Sequence, residues 1–226
     1  MLYWQHRFRW TKKQTESIDI MATKAASRKI RPDMARRIQK LRCGWLPVNN
    51  REARCDPDRV SGCSACSQSN LVPETVDHVF QCPAPARRST LRARFSGLFT
   101  FLRGIKTASS LISAMQMGAE AWIEQREPPS AESLDVPNNR LGNLVRQAYA
   151  EQTALGWNAL FRGFWVTSWR LAQEEQFRMY RSREVNDTGE RWAATAQLWF
   201  FDTFELVWQQ RNNDKHGSNR DTQRLI

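Results

Sequence analysis

The chemistry-bearing residues of this chain concentrate in one short stretch. Cys63-Ser-Ala-Cys66 is followed, after eleven intervening residues, by His78-Val-Phe-Gln-Cys82. A Cys-x₂-Cys turn can present two thiolates together. His78 and Cys82 stand four apart and share a face if their stretch is helical. Three sulfurs and one imidazole complete the tetrahedral shell that Zn²⁺ accepts with no open position. The pattern therefore predicts a structural zinc site at Cys63, Cys66, His78 and Cys82, not a hydrolytic one. Three thiolates around a divalent ion leave the centre at −1, a charge that nearby basic residues can moderate. Two other readings compete: buried free thiols close to a core histidine, and a redox dithiol that leaves His78 and Cys82 unused. Cys55 stands as a spare thiol or a substitute ligand. Cys43, just before Gly44, is expected to pack inward.

The elements that must position these ligands are weak by themselves. Residues 55–83 carry Cys, Pro, Gly, Ser and Asp with few large apolar groups, and read as loops around one short helix. Pro73 is placed to open that helix, with Glu74 and Asp77 in a first turn that favours negative charge. So small a piece cannot be held by a core of its own, and needs a metal or close docking.

Positive charge accumulates upstream. The 226 residues include 34 Lys and Arg against 23 Asp and Glu, a net of +11. Residues 1–54 alone hold 14 basic and four acidic side chains, and the chain beyond residue 94 is balanced. Such an asymmetry suits a polyphosphate, because each neutralised phosphate releases counterions. Two basic helices are expected here. Thr11 to Gln14 has capping-box spacing. Pro32 fits the first turn of the second helix, Met34, Ile38 and Leu41 form a narrow stripe, and Gly44 ends it. Arg28, Lys29, Arg36, Arg37, Lys40 and Arg42 crowd around that stripe and are the expected nucleic-acid contacts. The competing reading is a solvated basic face. Trp45 and Leu46 are expected to anchor the following turn to a core.

Downstream the chain is helical and aromatic. Ten tryptophans and a 41% hydrophobic fraction supply a core. Apolar stripes recur at Phe95–Leu102, Leu111–Ile123, Leu141–Tyr149, Trp157–Ala172 and Trp192–Val207, with a break at Asn186 to Gly189. Trp157, Trp165, Trp199 and Phe204 are expected to be buried. The fold class is all-α: a helical bundle with a small zinc knuckle between N-terminal basic helices and C-terminal aromatic helices. By composition the segments are 1–54, 55–94, 95–217 and a 218–226 tail. Large apolar faces are compatible with a homo-oligomer. The absence of HExxH, GxSxG and GxxxxGK[ST] argues against an enzyme. Apolar runs are too short for a membrane span, and the opening Met1-Leu-Tyr-Trp has no apolar signal region. A nuclear or cytoplasmic protein is expected, not a secreted one.

The knuckle also carries a resemblance. Cys63 and Cys66, Glu74-Thr75 before His78, and the closing Cys82-Pro83 resemble the zinc-binding domain found downstream of reverse transcriptases in non-LTR retrotransposons. Lys40-Leu-Arg-Cys-Gly-Trp-Leu-Pro47 resembles the segment leading into such knuckles. Trp208-Gln-Gln-Arg-Asn-Asn-Asp-Lys-His-Gly217 is similar to a recurrent ending of the same proteins. The resemblance implies an accessory part of an element-encoded polyprotein that engages RNA or DNA through its basic section, with a reverse transcriptase as a further partner. No Tyr-x-Asp-Asp motif and no endonuclease signature is present, so polymerisation is not expected of this chain. A zinc-stabilised module that binds a polymerase partner or itself is the alternative.

Overall fold

A computed structural model describes residues 2–66, 72–180 and 187–217. The 218–226 tail and Asn186 lie outside the described residues. The protein is all-α: among the described residues there are twelve α-helices, one 3₁₀ turn and no strand. In chain order the helices are α1 (Leu2–Phe8), α2 (Lys12–Glu16), α3 (Ile20–Ser27), α4 (Pro32–Cys43), α5 (Asn49–Cys55) and α6 (Val76–Gln81). They continue as α7 (Pro85–Gly104), α8 (Ser109–Ile123), α9 (Arg140–Leu155), α10 (Trp157–Phe161), α11 (Thr167–Met179) and α12 (Gly189–His216). No described helix is long and apolar enough to cross a membrane.

The chain forms two compact units, Met1–Ile30 with Phe99–Phe200, and Arg31–Leu98 with Phe201–Ile226. Their borders fall elsewhere than the compositional ones, because α7 and α12 each contribute to both units. The charge divides accordingly. The first unit holds 18 basic and 13 acidic residues, the second 16 and 10. The excess that sits in the first quarter of the sequence is thus shared between two folded bodies.

In the first unit, α9 packs against α8, α10 and α11. Trp157, Phe161, Trp165 and Trp169 are buried there. Gly118 on α8 makes room for the Trp157 ring, since a Cβ at that position would lie 1.9 Å from a ring carbon. Gln152 satisfies two polar groups within this core: its Oε1 accepts from Trp169 Nε1 at 3.2 Å and from the Val166 amide at 3.3 Å. Trp199 departs from the expected burial. It is 41% exposed and stacks on Phe101 with centroids 4.1 Å apart. The apolar stripe of α12 is wider than the face that packs, which leaves Trp199 at its edge.

In the second unit, α4 begins with Pro32 in its first turn and ends at Gly44, whose φ of 66° is the left-handed conformation that glycine adopts without strain. Met34, Ile38 and Leu41 are buried along one face. Leu46 anchors the following turn, whereas Trp45 is 52% exposed, contrary to expectation. Residues 49–55 form α5, with Val48 as its N-cap. Phe80 of α6 and Phe204 of α12 bring their rings to 6.1 Å.

Candidate metal centre

Short local devices place each ligand. The Cys63 amide donates to Val72 O at 3.0 Å and the Glu74 amide to Ser61 O at 2.8 Å, so an antiparallel bridge between Gly62 and Pro73 sets the first cysteine loop. Pro73 therefore lies in that bridge and does not open the helix. Thr75 caps α6 instead, its hydroxyl accepting from the His78 amide at 3.0 Å. Asp77 occupies the first turn of α6, and Glu74 lies outside it. His78 then projects from α6, and Cys82 is its C-cap one turn later.

The donor atoms of Cys63, Cys66, His78 and Cys82 all lie within 4.8 Å of one another, close enough to hold one metal ion. Cys63 and Cys82 Sγ are 3.8 Å apart, Cys66 and Cys82 Sγ 3.5 Å, and Cys66 Sγ lies 3.5 Å from His78 Nε2. Tetrahedral sulfurs at the usual zinc bond length of about 2.3 Å would stand about 3.8 Å apart. Cys63, His78 and Cys82 are buried and Cys66 is half-buried. The other two cysteines stay out of the cluster. Cys55 is exposed at the end of α5, and Cys43 is buried, accepting from Gln39 Nε2 at 3.5 Å.

Crowding three thiols sets their ionisations against one another. The hydrogen bond with Cys82, followed by the contact with His78 and the charge of Arg87, pulls the Cys63 thiol well below its ordinary value against its burial. The same hydrogen bond with Cys63, together with burial, pushes Cys82 the other way. Burial also raises Cys66. A divalent ion that takes all three sulfurs as thiolates removes that conflict.

Behind the ligands lies a buried polar shell. Arg87, 5% exposed, donates from Nη1 to Cys63 Sγ at 3.2 Å and from Nε to Asp214 Oδ2 at 2.6 Å. Both its Nη atoms lie 3.4 Å from Glu74 Oε1. Glu74, fully buried, also accepts from Arg211 Nε at 3.0 Å and the Asn49 amide at 3.1 Å. Asn49 Nδ2 closes the shell on Gly62 O at 2.7 Å. Burial works against the charge of Arg87, but the Asp214 hydrogen bond and the charges of Cys63, Cys82 and Glu74 raise its pKa overall. Sequence reasoning missed Arg87 and Asn49, and read Glu74 as a helix-start acid and a step of the resembling motif, not as a buried partner of two arginines. The pairing of distant residues leaves no local spacing to find.

The expected phosphate contacts are divided by the fold. Arg28 and Lys29 are exposed in the first unit, and Arg36 and Lys40 are exposed four apart on α4 in the second. Arg37 is tied to Glu205 at 2.8 Å and to Asp33 at 2.9 Å. Arg42 requires correction. It is 8% exposed, its guanidinium lies 5.1 Å over the Phe201 ring, and burial lowers its pKa to about 10. Such a side chain supports the core and does not reach for phosphate. Arg51 and Arg54 on α5 and Arg92 and Arg94 on α7 are exposed basic groups of the second unit that the sequence reading passed over. Comparison with protein-family models, curated proteins and solved structures returns no match.

Proposed function

We propose that this chain is a zinc-stabilised, non-catalytic nucleic-acid-binding or scaffolding piece of a non-LTR retroelement polyprotein. The observation that carries the metal part is the closed Cys₃His set, with four convergent donors and no carboxylate or open position among them. Soft thiolates with one imidazole select zinc over the harder divalent ions. Exposed arginines and lysines on α4, α5 and α7 support the nucleic-acid part. The retroelement reading draws support from the way its two sequence segments join. The knuckle and the 208–217 ending are both in the second unit, linked by Glu74 and Arg211.

The test is elemental analysis and X-ray absorption on protein purified in zinc-sufficient buffer, followed by binding to matched RNA, single-stranded DNA and duplex DNA across a salt series. One zinc in an S₃N shell and salt-dependent binding support the reading. Metal-free folded protein would remove the zinc centre from it. Zinc-loaded protein that ignores all three nucleic acids but captures a reverse transcriptase fragment would replace it with the interaction module.

A further inference from the structure

We propose that the last turns of α12 with the glycine after them, residues 208–217, are a latch on the metal centre, so that metal binding and docking of this segment form one coupled equilibrium. The inference rests on the zinc reading above and gives the terminal segment a role that reading lacks.

Two routes connect the segment to the first ligand. The first is made of side chains: Asp214 accepts from Arg87 Nε, and Arg87 Nη1 donates to Cys63 Sγ. The second returns through backbone. Arg211 Nη2 donates to Asn49 Oδ1 at 3.0 Å, and Asn49 Nδ2 donates to the carbonyl of Gly62, the residue before Cys63. Glu74 ties the routes together, accepting from both arginines. Trp208 lies 4.8 Å beneath the Arg211 guanidinium, and Lys215 reaches Glu52 of α5. Trp208, Arg211 and Lys215 stand three and four apart, the spacing of a single helix face, and Asp214 stands three beyond Arg211 at its edge.

The electrostatics favour coupling. A divalent ion with three thiolates carries −1, and the Arg87 hydrogen bond to Cys63 offsets part of it. That hydrogen bond depends on a guanidinium held by Asp214 on one side and Glu74 on the other. Undocking the segment removes Asp214 from Arg87 and Arg211 from Glu74, leaving buried charge with fewer partners. Groups behind the ligands orient them, and their loss typically weakens metal binding about 10–100-fold. By linkage the dependence is reciprocal, so metal must also hold the segment down.

The experiment uses the full chain with Zn²⁺ and Co²⁺. In the wild type, amide hydrogen exchange in 208–217 should slow when Zn²⁺ is added. Asp214→Asn and Arg211→Gln should each weaken zinc binding about 10–100-fold in chelator competition. Arg87→Lys should shift the sulfur-to-cobalt charge-transfer band, which a purely structural residue would leave in place. Arg178→Gln, in the other unit, should change none of these. If Arg211→Gln fails to fold, Asp214→Asn at the partly exposed end of the network and the exchange measurement on wild type still decide. Zinc binding that stays within two-fold in Asp214→Asn, with exchange in 208–217 indifferent to metal, overturns the latch while the zinc reading stands. A wild type that takes up no zinc overturns both.

Discussion

The Arg42 guanidinium lies 5.1 Å over the Phe201 ring, sealed at 8% exposure, while Lys40 two residues earlier is exposed. Two basic neighbours on one helix therefore do different work. Arg42→Gln should destabilise the second unit by about 2 kcal/mol, the scale of a desolvated cation–π contact. It should leave the salt dependence of nucleic-acid binding unchanged. Denaturant melts beside a salt series separate the two effects, and a changed slope with unchanged stability would return Arg42 to the binding surface.

Trp165 and Trp199 make a second contrasting pair. Trp165 is 1% exposed and touches the Phe200 ring edge-on at 5.5 Å, so Trp165→Ala should cost about 3–5 kcal/mol. Trp199→Ala should cost about 1 kcal/mol, because stacking on Phe101 is most of what it loses. Equal costs in equilibrium unfolding would contradict this assignment.

Cys82→Ser should lose the metal and melt the knuckle selectively. The apolar packing at the ligands is slight, with Cys63, Cys82 and Ala84 joined by Ala65 and Cys66. Helicity of α8 to α11 should survive, since Trp157, Trp165 and Trp169 belong to the other unit's core. Peptide-resolved hydrogen exchange reads both regions at once. Chelation of wild type should reproduce the pattern, and acid should do the same as protons compete for the sulfurs. Global unfolding on chelation would show that the two units are not energetically separable.

The legible parts of this protein are those whose cause is local. Thr11 forms its capping box, with reciprocal hydrogen bonds to Gln14, because both partners lie within four residues. Gly44 ends its helix with positive φ, as its position after an apolar stripe suggested. The clustering of Cys63, Cys66, His78 and Cys82 was legible because metal chemistry restricts residue type and spacing together. Arg87, Asn49 and Arg211 were not, since a buried network is assembled from residues up to 162 apart. Arg42 and Trp45 were misplaced for the same reason. A basic side chain reads as exposed and a tryptophan as buried unless the opposite surface, here Phe201 for Arg42, is known. Pro73 was read as a helix opener because its bridge partner Gly62 lies eleven residues away, across the Cys63–Cys66 turn.

Nucleic-acid affinity should depend on the exposed basic residues of the second unit. Arg36 and Lys40 share one side of α4 and are exposed, whereas Arg37 is occupied by Asp33 and Glu205. The informative variant is therefore Arg36→Gln with Lys40→Gln, which keeps polarity and helix propensity while sparing the ion pairs. Contacts of this kind reach phosphate more than base edges, so affinity should fall alike for different sequences. The slope of log K against log salt should become shallower by about 0.7–0.9 for each phosphate contact removed. Arg37→Gln should instead cost stability through Glu205 and leave the slope nearly unchanged. Adding Arg92→Gln and Arg94→Gln asks whether α7 shares the surface; a further shallowing would place it there. Helicity and zinc content must match wild type in every variant. An unchanged slope and affinity in the α4 double variant would assign these charges to solvation or protein contacts.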